Sequence, residues 1–299
     1  AKFVGDIISY LMEQDGEKEK FQNLFLAGKC LLEVRSRLGI DDLESQLLNR
    51  LKHLTGYDFV CFDISRKENF VRQIEIRTQA VEIVATSWRD NPLTYDWLKQ
   101  RVESDESDDV RVEAVRQIAS SWKQEPGVLD LLKQLVESDE SDYVRREAVR
   151  QIASGWKQEP GILDLLKQRV VSDESSDVRV EAVRQIASGW KQEPGILELL
   201  KQWVVSDESD VVRCEAVEQI ASGWKQEPGI LDLLKQRVVS DESWDVRREA
   251  VQQIASGWKQ EPGTFEIFYD NALNDPFERQ HDFETNPRQI ALEAIVKQY

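Results

Sequence analysis

The side chains from which catalytic centres are most often assembled are scarce in this chain and lie far apart. There are two histidines, His53 and His281, and three cysteines, Cys30, Cys61 and Cys214, in 299 residues. A base or metal ligand works through neighbours that orient it, and neither histidine has another close in sequence. The cysteines are odd in number and widely spaced, with no C-x-x-C pair. They read as reduced thiols and predict neither a disulfide framework nor a metal site. Cys214 takes a place filled elsewhere by Val112, Arg146, Val180 and Arg248, a position expected to be exposed, and it lacks the adjacent histidine that would activate a thiol. The recurring Ser-Asp-Glu-Ser turns offer carboxylates, but not in the order of a calcium loop. Gly28-Lys29 lacks the upstream glycine and the following Ser or Thr of a phosphate-binding loop, so no ATPase activity is expected. These residues predict no catalytic group, no metal and no cofactor.

One charged set is distinguished by its position. Arg111 falls in the middle of the apolar stripe of its helix, between Ala114, Val115 and Ile118 on a 3.6-residue wheel, and Arg77, Arg145, Arg179, Arg213, Arg247 and Arg288 occupy matching places. A guanidinium in such a place must be paired. A carboxylate stands six residues upstream in most copies: Asp105, Asp139, Asp173, Asp207, Asp241 and Asp282. The spacing predicts a stacked Asp–Arg ladder, each arginine bonding an aspartate of its own or an adjacent repeat, with a structural role.

The elements that position these residues repeat. Trp88, Trp122, Trp156, Trp190, Trp224 and Trp258 recur every 34 residues, and segments 138–171 and 172–205 agree at 29 of 34 positions, which marks tandem duplication. Within one unit, 104–122 predicts an amphipathic helix that buries Val110, Ala114, Ile118 and Trp122 and turns Glu113, Arg116, Gln117 and Ser120 outward. Ser104 or Ser107 can cap its start, and the acids around them suit the positive end of the helix dipole. Pro126 ends the helix and is expected as an early residue of a second one over 126–136, with Leu129, Leu132 and Val136 inward and Asp130, Lys133 and Gln134 outward. Such a helix pair cannot bury its own apolar face and is stabilised by stacking on its neighbours.

Outside the repeats, residues 1–69 predict helices at about 3–14, 18–38 and 41–55, with apolar surface from Phe21, Leu24, Phe25, Leu32 and Val34. Near the other end, Phe265, Phe268, Tyr269, Phe277 and Phe283 replace the usual aliphatics, and an insertion before Pro287-Arg288 makes the last helix atypical, as a terminal cap should be. The start at Ala1 rather than Met is expected of a processed product or a fragment.

The net charge of −17 disfavours nucleic-acid backbones and anionic lipid, and no apolar run is long enough to span a bilayer. A cytoplasmic monomer is expected. Binding is better supported than catalysis, because the repeats differ at few places. Tyr143, Trp203 and Trp244 stand where other repeats carry mostly polar residues; this reads either as drift at solvated positions or as aromatic anchors for a partner. Lys133, Lys167, Lys201 and Lys235, with Arg101, Arg169 and Arg237, form a basic set on the second helices. It either solvates them or receives an acidic peptide or protein segment.

The recurring D-x4-V-R-x2-A, as in Asp105…Val110-Arg111…Ala114, resembles HEAT repeats and the HEAT-like repeats of phycobilisome lyases over about 70–298. Tetratricopeptide repeats share the period but not the alanine and proline positions, and pentatricopeptide or Pumilio-type RNA readers need basic inner faces. The resemblance implies an all-α fold, an α-solenoid of antiparallel helix pairs, with a cap over 1–69, six repeats over 70–273 and an atypical capping helix over 274–299. It also implies that the second helices line the inner, concave side. The runs FQNLFLAGKCLLEVRSR (21–37), LESQLLNRLKHLT (43–55) and IRTQAVEIVATSW (76–88), followed by WKQEPGILDLLKQR units, look like the C-terminal HEAT region of bacterial, cyanobacterial-type NACHT signalling NTPases. That resemblance implies a sensor or regulatory arm whose partner is a protein or peptide, its own missing NTPase domain included. Two alternatives stay open: a bilin lyase-like accessory subunit, from the repeat type alone, and a nucleic-acid sensing arm with a basic inner strip.

Overall fold

The computed structural model describes residues 2–34, 37–58, 66–279 and 285–298. Cys61, His281, Asp282 and Phe283 lie outside the described residues. Among those described, every regular element is helical: α1 (Lys2–Glu13), α2 (Gln22–Leu32), α3 (Asp41–Leu54), α4 (Arg66–Ser87), α5 (Pro92–Ser104), α6 (Asp108–Ser121), α7 (Val128–Ser138), α8 (Asp142–Gly155), α9 (Ile162–Ser172), α10 (Ser176–Gly189), α11 (Ile196–Ser206), α12 (Asp210–Gly223), α13 (Ile230–Ser240), α14 (Trp244–Gly257), α15 (Thr264–Asn274) and α16 (Pro287–Gln298). The fold is an all-α solenoid of stacked helix pairs. The chain forms two compact units, Ala1–Gln151 and Ile152–Tyr299, with the division inside α8.

In the first unit α1–α4 share an apolar core of Ile8, Leu24, Phe25, Leu47, Leu51, Ile76 and Ile83. α2 is shorter than the 18–38 expected, because the backbone turns left-handed at Lys20 and Phe21 and the helix starts after them. Of the apolar surface assigned to it, Leu24 and Phe25 are buried while Leu32 is exposed. Gly28 is a packing residue, unrelated to phosphate binding: a Cβ there would stand 2.4 Å from Ile83 Cγ2, so only glycine lets α2 approach α4 this closely. α4 runs unbroken through position 69/70 and passes directly into the repeats.

The repeats contain two kinds of connection. Ser-Asp-Glu-Ser turns join the end of one second helix to the next first helix, as between α5 and α6, and these two pack closely and antiparallel. The Lys-Gln-Glu-Pro-Gly linkers are longer, and the helices they join, such as α6 and α7, touch far less. The close pair is therefore second helix with following first helix, one step out of phase with the grouping 104–122 plus 126–136. Pro126 belongs to the linker and not to α7. Gly127 caps α7 at φ 84°, a conformation that side chains resist, and Gly161, Gly195, Gly229 and Gly263 repeat it. The inward stripe of α7 is accordingly Val128, Leu132, Leu135 and Val136, with Leu129 only half-buried.

Within the second unit α10, α12, α14 and α16 pack side by side in one close layer, whereas α9, α11, α13 and α15 are spread more widely. The close-packed row is made by the first helices. Trp190, Trp224 and Trp258 are all buried, each ending its first helix. At the far end Phe268 and Phe277 are buried, while Phe265 and Tyr269 stack on each other at the surface.

Candidate functional site

Two polar ladders run through the first helices. In the first, Arg111, Arg179, Arg213 and Arg247 each reach the aspartate 28 residues ahead, which belongs to the next repeat. Arg213 Nη2 lies 2.9 Å from Asp241 Oδ1 and its Nε 3.3 Å from Oδ2, and Arg247 grips Asp275 at 2.8 and 3.0 Å. Arg179 meets Asp207 at 3.3 Å, and Arg111 pairs with Asp139. The second amino group turns back to its own repeat: Nη1 donates to the Asp139, Asp173, Asp207 and Asp241 carbonyls from Arg145, Arg179, Arg213 and Arg247 at 2.8–3.0 Å. Each aspartate also caps the following helix, its Oδ1 accepting from the backbone N–H two residues on, as Asp241 does from Ser243 at 3.0 Å. One carboxylate thus closes a turn and neutralises a buried guanidinium of the preceding repeat.

The ladder departs from expectation at both ends. Arg77 donates to the Tyr57 carbonyl at 2.8 Å, and Asp105 pairs with Arg101 of its own helix at 3.0 Å, because α4 is preceded by a singular bundle rather than by another repeat. The final rung is Asp275, which the 34-residue spacing from Asp241 identifies and which Asp282 had displaced in the sequence reading. Arg288 donates to the Asp275 and Phe277 carbonyls at 2.6 and 3.2 Å.

The second ladder was missed. Glu147, Glu181 and Glu215, matching the outward-assigned Glu113, are buried. Arg116 forks onto Glu147 at 3.0 and 3.1 Å, and Arg184 onto Glu215 at 3.1 and 2.6 Å. Burial pushes Glu147 up, but hydrogen bonds from Arg116 and Gln151 outweigh it and hold its carboxyl below the usual range. The signal was the 31-residue spacing from Arg116 to Glu147 and from Arg184 to Glu215. Both ends of this ladder carry glutamate in the arginine's place. Glu82 stands before Glu113, whose carboxyl is raised by burial and, in smaller part, by Glu82; Glu218 stands before Glu249 and is raised by burial, Glu215 and Glu249.

Of the residues singled out for binding, Tyr143 is exposed, with the Arg146 guanidinium 5.4 Å from its ring centre. Trp203 is 5 % exposed and Arg237 is also buried. Their position, shared with Arg101, Leu135 and Arg169, faces the layer interior because the α7 stripe is phased on Val128; neither is a solvated anchor. Arg169 and Arg237 bond Ser172 and Ser240 of their own helices at 3.2 and 3.3 Å. Trp244 is half-buried against Phe277, ring centres 5.2 Å apart. The lysines lie on the second-helix surface: Lys201 bonds Glu198 at 2.9 Å, Lys167 stands 3.8 Å from Asp164, and Lys235 reaches the Pro262 carbonyl at 2.8 Å, while Lys133 is half-exposed. A different basic set, Lys157, Lys191 and Lys225, lies over Trp190, Trp224 and Trp258 at 5.7–5.8 Å.

Among the described residues the reactive types gather nowhere. His53 is exposed, Cys30 is half-buried, and no group of three or more His, Cys, Asp or Glu among the described residues is arranged to hold a metal. Cys214 is half-buried rather than exposed, and burial, with Asp245 and Glu249 nearby, pushes its thiol up to about 12, the reverse of nucleophile activation. No described helix is long and apolar enough to cross a membrane.

The family model for HEAT repeats matches residues 73–153, 95–187, 163–255 and 196–279. No curated protein matches the chain. A solved structure described as "Crystal structure of Kap121p" is similar at 13 % identity with a TM-score of 0.45, covering 98 % of this chain. The chain spans 37 % of that structure's length.

Proposed function

This chain belongs to the HEAT-repeat family, and from that premise we propose that it is a non-catalytic scaffold binding a protein or peptide partner, as the sensor or regulatory arm of a larger NACHT-type signalling NTPase. The observation that carries the reading is the division of labour within a repeat. The first helices spend their charged groups on internal ladders, while the second helices leave Lys133, Lys167, Lys201 and Lys235 at the surface. A rigid frame that repeats its exposed side chains is suited to contacting an extended partner at several points. The NACHT context is supported by the sequence resemblance of 21–37, 43–55 and 76–88.

The test is a titration of this chain with the nucleotide-binding module expected in the same gene product. Micromolar association is expected, and replacing the four lysines by glutamate should weaken it at least tenfold at unchanged Tm. A full-length gene product without a nucleotide-binding module overturns the context. Association indifferent to the lysines overturns their assignment to the binding face.

A further inference from the structure

The second helices of the Ile152–Tyr299 unit carry an exposed aliphatic row. Val171, Val205, Val239 and Leu273 recur at 34-residue spacing, on α9, α11, α13 and α15, and are 52–76 % exposed. Scattered surface valines are ordinary; four in one register are not. The inner face of these helices is already filled by residues such as Ile162, Leu166 and Val170, so the outer row adds nothing to the core. In the first unit the same position holds the exposed Glu103 and Glu137, so the helix pair does not require an apolar residue there.

The row has charged neighbours on either side along the helix axis. One turn earlier stand Lys167, Lys201 and Lys235, with Tyr269 in the last copy. Three residues later, in the turns, stand the exposed Glu174, Glu208 and Glu242. We propose that Val171, Val205, Val239 and Leu273 dock an amphipathic α-helix of a partner protein, with acidic residues along the flank that meets the lysines and basic residues along the flank that meets the turn glutamates. Packed helices lie about 8–10 Å apart, and α9, α11, α13 and α15 are spread more widely than the close-packed row beside them. An α-helix laid across them returns the same face every seven residues, about 10.5 Å. A β-strand alternates faces every residue and cannot keep one apolar side at that interval. A polyproline helix docks on aromatic-lined grooves, whereas this row is aliphatic. A second copy of the chain is disfavoured by the net charge of −17 on each.

The proposal rests on the scaffold reading and names the chemistry of its partner. The probe is a labelled synthetic 28-residue helix of four heptads, about 42 Å long and so able to present one face to all four positions. It carries leucine at heptad a and d positions, glutamate on one flank and lysine on the other. Fluorescence anisotropy should show saturable binding, weakened about tenfold for each valine replaced in V171E, V205E and V239E. These variants install the residue that the first unit already has, and an unchanged circular dichroism spectrum checks folding. A peptide with lysine on both flanks should bind more weakly. Equal binding by the triple variant, equal binding of a scrambled peptide, or no saturable binding overturns the proposal. A dimer seen in sedimentation and dissolved by the triple variant overturns it in favour of self-association. If the nucleotide-binding module associates and is lost on lysine replacement but not in the triple variant, the scaffold reading stands and the aliphatic row fails.

Discussion

The α1–α4 bundle and the repeats of the second unit stabilise helix packing by different means. In the bundle each contact is singular: Phe25 and Leu51 fill one core, Gly28 admits one close approach, and Arg37 and Arg50 satisfy the Ser87 and Met12 carbonyls at 2.6 Å each. In the repeats one solution is found once and copied, so that Arg179–Asp207, Arg213–Asp241 and Arg247–Asp275 are the same contact in three places. A singular core depends on shape and tolerates no shift. A ladder depends on the offset between neighbouring repeats and holds wherever that offset is kept.

The two modes should fail differently, and the largest effects test this. Phe25→Ala should cost about 3–5 kcal/mol through the cavity it leaves. Arg213→Ala should cost a similar 3–5 kcal/mol, because Asp241 is left buried without its main partner. The difference lies in rescue. Replacing both Arg213 and Asp241 by aliphatics of similar size should restore most of the loss, since a buried ion pair is often no better than a packed apolar one, though Asp241 will still be missed as a cap. No second change near Phe25 should do so. Amide exchange in α12 and α14 is the suitable readout, because repeat arrays open locally. If the double replacement is as unstable as Arg213→Ala, the contrast collapses.

Smaller effects come from the ladder ends. Arg77→Ala should cost only about 1 kcal/mol, the value of one hydrogen bond, because Arg77 donates to the Tyr57 carbonyl and acts on Asp109 only through its charge. Glu218→Arg should be mildly stabilising, by less than about 1 kcal/mol, by adding a rung to the Arg–Glu ladder at a solvated site. Acid titration gives the sign independently. Glu218 has a raised carboxyl, so its ionisation opposes folding above that pKa and the penalty fades as pH falls. Glu218→Gln should therefore raise Tm at pH 7 and match the parent near about pH 4, where a glutamate is half protonated anyway. Glu147 is lowered and behaves oppositely: its rung stabilises at neutral pH and is lost as pH drops below the usual carboxylate range. A Glu218→Gln protein whose Tm tracked the parent's at every pH from 7 to 4 would contradict the first, and a Glu147→Gln protein whose Tm deficit at pH 7 did not shrink at low pH would contradict the second. Last, Cys214 should resist iodoacetamide at pH 8 in the folded protein and react once unfolded, as a thiol pushed up to about 12 requires.

Much of the helical scaffold was legible in the chain, as Arg111 and Trp122 illustrate. Amphipathic phase placed both on the buried stripe, and an arginine there demanded a carboxylate. The same reasoning misjudged Trp203, because the α11 stripe was phased one residue late when Pro194 was counted into the helix that Gly195 starts. It also turned Glu147 outward, since a wheel shows which side of a helix a residue faces but not whether another helix covers that side.

The amino-acid sequence by itself determined the 34-residue period, the two helices in each repeat and the need of each buried arginine for an acid. Those follow from local rules within about ten residues. Only the tertiary structure decided that the acid is the next repeat's aspartate, that Asp275 closes the series, that Glu147 and Glu215 bear a second ladder, and that Val171, Val205 and Val239 stay uncovered. Each of those depends on how far one repeat is displaced against the next, a quantity set by the packing of whole helices and written in no single one of them.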